Sequence, residues 1–174
     1  VVPGQSRLDP SDIEVPPLYP DLPGIRQDLA NYYDAITRMD GDVGRVLAEL
    51  KRRGLEEDTI VFYYSDHGGV LPRSKRYLYD SGTHVPLIVH FPEKWRHLAP
   101  GEPGATAEET VSFVDLAPTL LSLADIEIPD YMMGRAFLGE SAAPQENPEV
   151  FLFGDRFDEY YKLNRGITDG RFRY

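Results

Sequence analysis

The sequence contains no cysteine. That excludes disulfides, thiolate nucleophiles and cysteine-ligated metal centres. Positive charge is scarce: 18 Lys and Arg stand against 29 Asp and Glu, a formal net charge of −11. A chain that grips nucleic acid or an anionic membrane surface wants the opposite balance, so neither is expected as a partner. No apolar run approaches the roughly 18 residues a bilayer span requires, and no membrane span is expected. Internal repeats and low-complexity tracts are lacking too. What is present, 174 residues of which 41% are hydrophobic, is the composition of an ordinary globular protein.

Residues 1–24 carry six prolines (Pro3, Pro10, Pro16, Pro17, Pro20 and Pro23) and read as an extended segment. A helical stripe follows: Ile25, Leu29, Tyr32, Ile36, Met39, Val43, Val46 and Leu50 recur at steps of three or four. Arg52 and Arg53 suit the negative end of the helix dipole, and Gly54 suits the position just past it. Thr59 to Tyr64 is a run of β-formers without alternation, the pattern of a strand buried on both faces. Further strands are expected over 85–91, over 111–114 and from Val150 to Phe153, with a helix from Leu116 to Ala124 that Asp115 is placed to cap. Asp169-Gly170 reads as the turn of a terminal hairpin. Helices alternating with apolar strands predict an α/β layered sandwich with a mostly parallel sheet, the hairpin beginning a small antiparallel C-terminal unit. The division expected is 1–24, 25–149 and 150–174. Val1 and the returning strand at Tyr174 suggest a segment of something larger, with apolar surface left for self-association.

Ligands in parallel α/β sheets sit beyond the carboxyl ends of strands. Asp66-His67 stands at such an end, followed by Gly68-Gly69. A carboxylate beside an imidazole can hold a divalent cation, and two glycines let the backbone turn tightly. The dipeptide alone is too common to decide between a metal site and a capped turn.

The longer stretch decides. Tyr64-Ser65-Asp66-His67-Gly68, then Lys75, then Tyr79-Asp80-x-Gly82-Thr83-His84-Val85-Pro86-Leu87-Ile88-Val89 closely resembles the sulfatase family of the alkaline phosphatase superfamily. Tyr32-Tyr33-Asp34-Ala35-Ile36, Val114-Asp115-Leu116-Ala117-Pro118-Thr119-Leu120-Leu121 and Gly134-Arg135 are similar to further family segments, leaving only about the first 20 residues without a counterpart. The resemblance implies an alkaline-phosphatase-like fold and hydrolysis of sulfate esters. It implies that Asp66 and His67 bind the active-site metal, usually calcium, and that Lys75 contacts the sulfate group. His67, where Asn is more frequent, leaves the metal's identity open, because imidazole also suits transition metals.

His84 is a candidate proton donor to the leaving group, with a structural hydrogen-bonding role equally open. Arg156 and Asp158 are candidates to reach a sulfated sugar or other sulfated small molecule; an exposed charged loop is the alternative. Asp80, His90, His97 and Asp115 are read as structural. The family's formylglycine arises within Cys/Ser-x-Pro-x-Arg, and no such motif occurs here. The nucleophile is expected in an N-terminal half outside this chain, which alone should not turn over. Periplasmic or secreted placement of a parent protein is compatible with all of this. A phosphate or phosphonate monoester hydrolase of the same superfamily, or a non-catalytic truncated module, remains the alternative.

Overall fold

A computed structural model describes residues 7–157 and 159–174; Asp158, one of the candidate substrate contacts, lies outside the described residues. The ordered elements are α1 (Pro23–Arg52), β1 (Val61–Tyr64), α2 (Asp80–Thr83), β2 (Leu87–His90), α3 (Leu116–Leu123), β3 (Val150–Phe157) and β4 (Tyr160–Thr168), with short 3-10 turns between them. β1 pairs with β2, and β3 pairs with β4. The described chain divides into two compact units, residues 7–57 with Tyr63–Ile88, and Asp58–Phe62 with Val89 onward.

In the first unit α1 dominates. Pro23 sits in its opening turn, where the missing N–H costs nothing. At its other end Gly54 adopts φ +68°, its N–H bonds the Lys51 carbonyl at 2.9 Å, and the Leu55 N–H bonds that of Leu50 at 3.1 Å. This is the doubly bonded glycine stop that the sequence signals. The core of the unit is Ile13, Leu29 and Ala30, with Val15, Tyr19, Ile25, Tyr33 and Leu71 packed around it.

Over the described residues 7–22 the proline-rich segment is extended apart from a short 3-10 turn. It is tied to α1 by Arg26, which donates to the Ile13 carbonyl at 2.7 Å and to the Ser11 carbonyl at 3.1 Å. The same guanidinium forks onto Asp21 at 2.6 and 2.8 Å, and holds that carboxyl below its ordinary pKa. Burial of Tyr19 in this layer raises its phenol pKa. One expectation changes here: the buried face of α1 is made by Leu29, Ala30, Asn31 and Asp34, while Ile36, Met39 and Val46 along the expected stripe are exposed. Periodicity locates an apolar face; only a neighbour covers it.

In the second unit, Asp115 organises the entry to α3. Its carboxylate accepts the Ser112 N–H and the Arg135 N–H, each at 3.0 Å. Thr119 donates to the Asp115 carbonyl at 2.6 Å and accepts the Phe137 N–H at 3.1 Å. The N-cap of α3 expected of Asp115 is not made, since its side chain bonds no amide of that helix. It reaches back to Ser112 in a capping box that turns Phe113–Asp115 into a 3-10 turn, in place of the strand expected over 111–114.

β3 and β4 form an antiparallel hairpin with an irregularity between Gly154 and Arg156. The three strands expected in one mostly parallel sheet therefore do not share one, since β3 pairs with β4 and not with β1 or β2. Short apolar runs report hydrophobicity and not pairing partners. Phe151 and Phe153, which made β3 resemble a buried central strand, are 77% and 73% exposed. β1 is likewise half-buried, and Tyr64 is exposed.

Candidate active site

The loop leaving β1 carries the candidate metal ligands. Ser65 anchors it, donating from its hydroxyl to the His67 carbonyl at 2.7 Å. Asp66 projects outward with 80% of its side chain exposed, beside a His67 side chain exposed to 37%. His67 Nδ1 lies 2.8 Å from the Gly68 carbonyl oxygen. Only an N–H makes that contact, so Nδ1 is the donor there and Nε2 is the nitrogen that can offer a lone pair to a metal in the neutral ring. Nε2 stands 3.4 Å from Asp66 Oδ2. Two electron-pair donors at that separation favour positive charge between or beside them, and the spacing suits neighbouring positions around one divalent cation. An imidazole whose second nitrogen is tied to a carbonyl is also the usual arrangement of a metal-binding histidine. The donor chemistry thus fits a metal, though two residues do not complete a coordination sphere. Among the described residues no group of three or more His, Asp or Glu converges to hold one.

The glycines after His67 are required by close approach. A Cβ on Gly68 would overlap the Ser81 carbonyl oxygen, and one on Gly69 would lie 2.6–2.7 Å from carbons of the Tyr32 ring on α1. Gly69 in turn accepts the Lys75 N–H at 3.1 Å, so the lysine backbone is tied two residues from His67. The Lys75 side chain is half-buried and, among the described residues, forms no ion pair. Gly68 donates to the Gly82 carbonyl at 3.0 Å, which binds the same loop to α2.

The candidate residues are thus brought together in part. Asp66, His67 and the backbone of Lys75 belong to one hydrogen-bonded loop. His84 ends α2, exposed, its N–H on the Asp80 carbonyl at 2.8 Å. Arg156 lies in the other unit, on β3 opposite Tyr161, and is exposed. His90 ends β2, and His97 packs 6.2 Å from the Trp95 ring. Sequence reasoning missed Ser74, which is only 3% exposed at the centre of the loop. A lone serine in a polar loop carries no signal of burial; the flanking motif glycines were the available hint.

The sulfatase family profile matches residues 4–126. The chain belongs to the sulfatase family. The match begins within the first few residues, so the proline-rich start is part of the family region after all. This sulfatase-family chain is 41% identical over 160 residues to an ulvan-active sulfatase of Formosa agariphila, covering 92% of the chain and 26% of that relative. It is 42% identical over 123 residues to the human N-sulphoglucosamine sulphohydrolase, covering 71% of the chain and 24% of that enzyme. It therefore spans about a quarter of the length of the curated relatives it matches. Among solved structures, a phosphonate monoester hydrolase from Silicibacter pomeroyi superposes with a TM-score of 0.68 at 26% identity, covering 88% of the chain and 34% of the hydrolase. The fold of this sulfatase-family chain is thus of the alkaline-phosphatase-like kind, seen here in part.

Proposed function

We propose that the intact protein carrying this sequence hydrolyses sulfate esters of a carbohydrate or another small molecule, and that this segment supplies part of its metal site and a sulfate-binding lysine. The observation that carries the metal reading is the facing pair Asp66 Oδ2 and His67 Nε2, 3.4 Å apart with the imidazole proton held on the opposite nitrogen. Sulfatase relatives named for ulvan and for N-sulphoglucosamine support a sulfated sugar as the substrate class.

Attack on sulfur moves negative charge onto the leaving oxygen while the sulfate oxygens keep theirs. A divalent cation held by Asp66 and His67 would supply electrostatic stabilisation of those oxygens. Calcium suits the hard carboxylate, and the imidazole admits a transition metal. Lys75 offers a compact ammonium to a sulfate oxygen, from a backbone fixed to Gly69. His84 donates a proton to the departing oxygen. The formylglycine nucleophile of the family belongs to a part of the protein outside this chain, since the motif that generates it does not occur here.

A second reading has one observation in its favour: the superposition on a phosphonate monoester hydrolase. Both readings use the same cation and lysine. Parallel assays of an aryl sulfate and an aryl phosphonate on the intact protein separate them, and a preference for the phosphonate would replace the first with the second. The metal reading is tested by Asp66→Ala in the same protein. Metal content measured by elemental analysis should fall, with activity reduced by at least the roughly 10–100-fold typical of outer-sphere changes. Unchanged metal content and turnover would remove Asp66 from the site.

A further inference from the structure

Residues 73–82 are held by a reciprocal clasp between two serines. The Ser74 hydroxyl donates to the Ser81 carbonyl, and the Ser81 hydroxyl donates back to the Arg73 carbonyl at 2.6 Å. The Ser74 carbonyl accepts the Tyr77 N–H at 3.1 Å, and its own N–H bonds the Leu71 carbonyl at 3.2 Å. Ser74 is 3% exposed, with its Oγ only 2.5 Å from where a Gly68 Cβ would stand. A Cβ on Gly82 would likewise stand 2.5 Å from the Ser74 carbonyl oxygen. Arg73 and Arg76, on either side of Ser74-Lys75, adopt φ +62° and +87°. Left-handed backbone at two non-glycine residues is costly and persists only where surrounding contacts impose it.

The geometry points to Ser74 as a positioning residue that sets the place of Lys75 relative to Asp66 and His67. The inference rests on the sulfatase reading above and adds to it. The chain of contacts is continuous: Gly68 is bonded to Gly82, the Ser81 carbonyl beside Gly82 receives Ser74, and Ser74 precedes Lys75, whose N–H returns to Gly69 at 3.1 Å. Both ends of the excursion from His67 to Lys75 are therefore tied, and the buried Ser74 hydroxyl crosses between them, with the Ser81 hydroxyl returning to the Arg73 carbonyl. Without its hydroxyl the Ser81 carbonyl loses its donor, and the clasp that spans the two left-handed residues keeps only the Ser81 half. The lysine then samples positions away from the transferring group, and misplacement of a charged group weakens catalysis steeply.

The test uses the intact protein with Ser74→Ala, Asp66→Ala and, as a control, Thr119→Ala, which removes a buried hydroxyl from the second unit. Amide hydrogen exchange is read residue by residue, beside kcat, KM, metal content and Tm. Ser74→Ala should speed exchange at Gly68 and Lys75 on the order of 10-fold while leaving amides of α1 and β3–β4 unchanged. It should lower kcat by roughly 10–100-fold with little change in KM and with metal retained. Thr119→Ala, at a similar loss of Tm, should keep kcat. Retained protection at Gly68 and Lys75, or a kcat loss matched by Thr119→Ala, overturns the positioning role. Full activity and metal content in Asp66→Ala would instead overturn the underlying site, which keeps the two failures apart.

Discussion

At the scale of single residues, the proposed site divides into groups assigned to bind and groups assigned to hold. Lys75 is the proposed sulfate contact: its backbone is fixed to Gly69 and its ammonium forms no ion pair among the described residues. In the intact protein Lys75→Ala should leave metal content unchanged and reduce hydrolysis on the order of 10²–10³, the range found when one donor to a developing anion is lost. Elemental analysis beside kinetics checks both halves of that expectation. His84 is settled by leaving-group dependence. Proton donation matters most for a poor leaving group, so His84→Ala should depress turnover of an alkyl or sugar sulfate far more than of a nitrophenyl sulfate. Equal losses on both substrates together with a lower Tm would make it a structural residue at the end of α2. Asp66 and His67 were legible as a pair in the sequence. The tautomer of His67 was not, because it is set by a contact with the Gly68 carbonyl that follows from the turn and not from residue type.

At the scale of elements, local chemistry was legible where backbone conformation is set within a few positions. The stop of α1 at Gly54 follows from such a short-range rule. The terminal turn follows one in part. Gly170 has φ +86°, and Thr168 bridges Arg173 as a hairpin demands. The two-residue turn expected at Asp169-Gly170 is replaced by a wider one, because Asp169 Oδ1 accepts the N–H of Arg171 at 2.8 Å and that of Phe172 at 2.5 Å. Those bonds, Phe172 first and Arg171 second, hold the carboxyl below its ordinary pKa of 3.8. A depressed folded pKa contributes stability that is present above the unfolded value and is lost as pH falls through the folded one. The turn should therefore keep its structure at neutral pH and loosen only below the ordinary carboxylate range. An NMR titration of the Asp169 carboxyl and of the Arg171 and Phe172 amide shifts checks this: a midpoint at or above the ordinary value would show that the bonds are absent in solution.

At the scale of the whole molecule, apolar surface is the outstanding property. Val46, Phe151, Phe153, Leu163 and Met133 are all more than half exposed, on a chain whose core is small. Exposed apolar side chains, where they gather into patches, drive association. The 174-residue chain in isolation should self-associate in a concentration-dependent manner by sedimentation velocity. Phe151→Ser with Phe153→Ser should weaken that association without unfolding β3–β4, since both side chains point away from packed neighbours; a monomer at all concentrations would contradict the expectation. Among the described residues no helix is long and apolar enough to cross a membrane.

What the sequence determined by itself was chemistry carried by neighbours in the chain. The order of family segments, the Asp66-His67 pair at the end of β1 and the glycine stop of α1 all act over a few residues, where residue type and backbone conformation are tightly coupled. Tertiary structure decided which apolar faces are covered and which strands pair. Ile36 and Val46 have the right period for a buried stripe but no partner, and Phe151 and Phe153 belong to an antiparallel hairpin instead of a central parallel strand. Burial and strand pairing depend on what the rest of the chain brings alongside, a choice that hydrophobicity permits but does not make. The same holds for Ser74, an ordinary loop serine until folding closes Gly68, Ser81 and Gly82 around it.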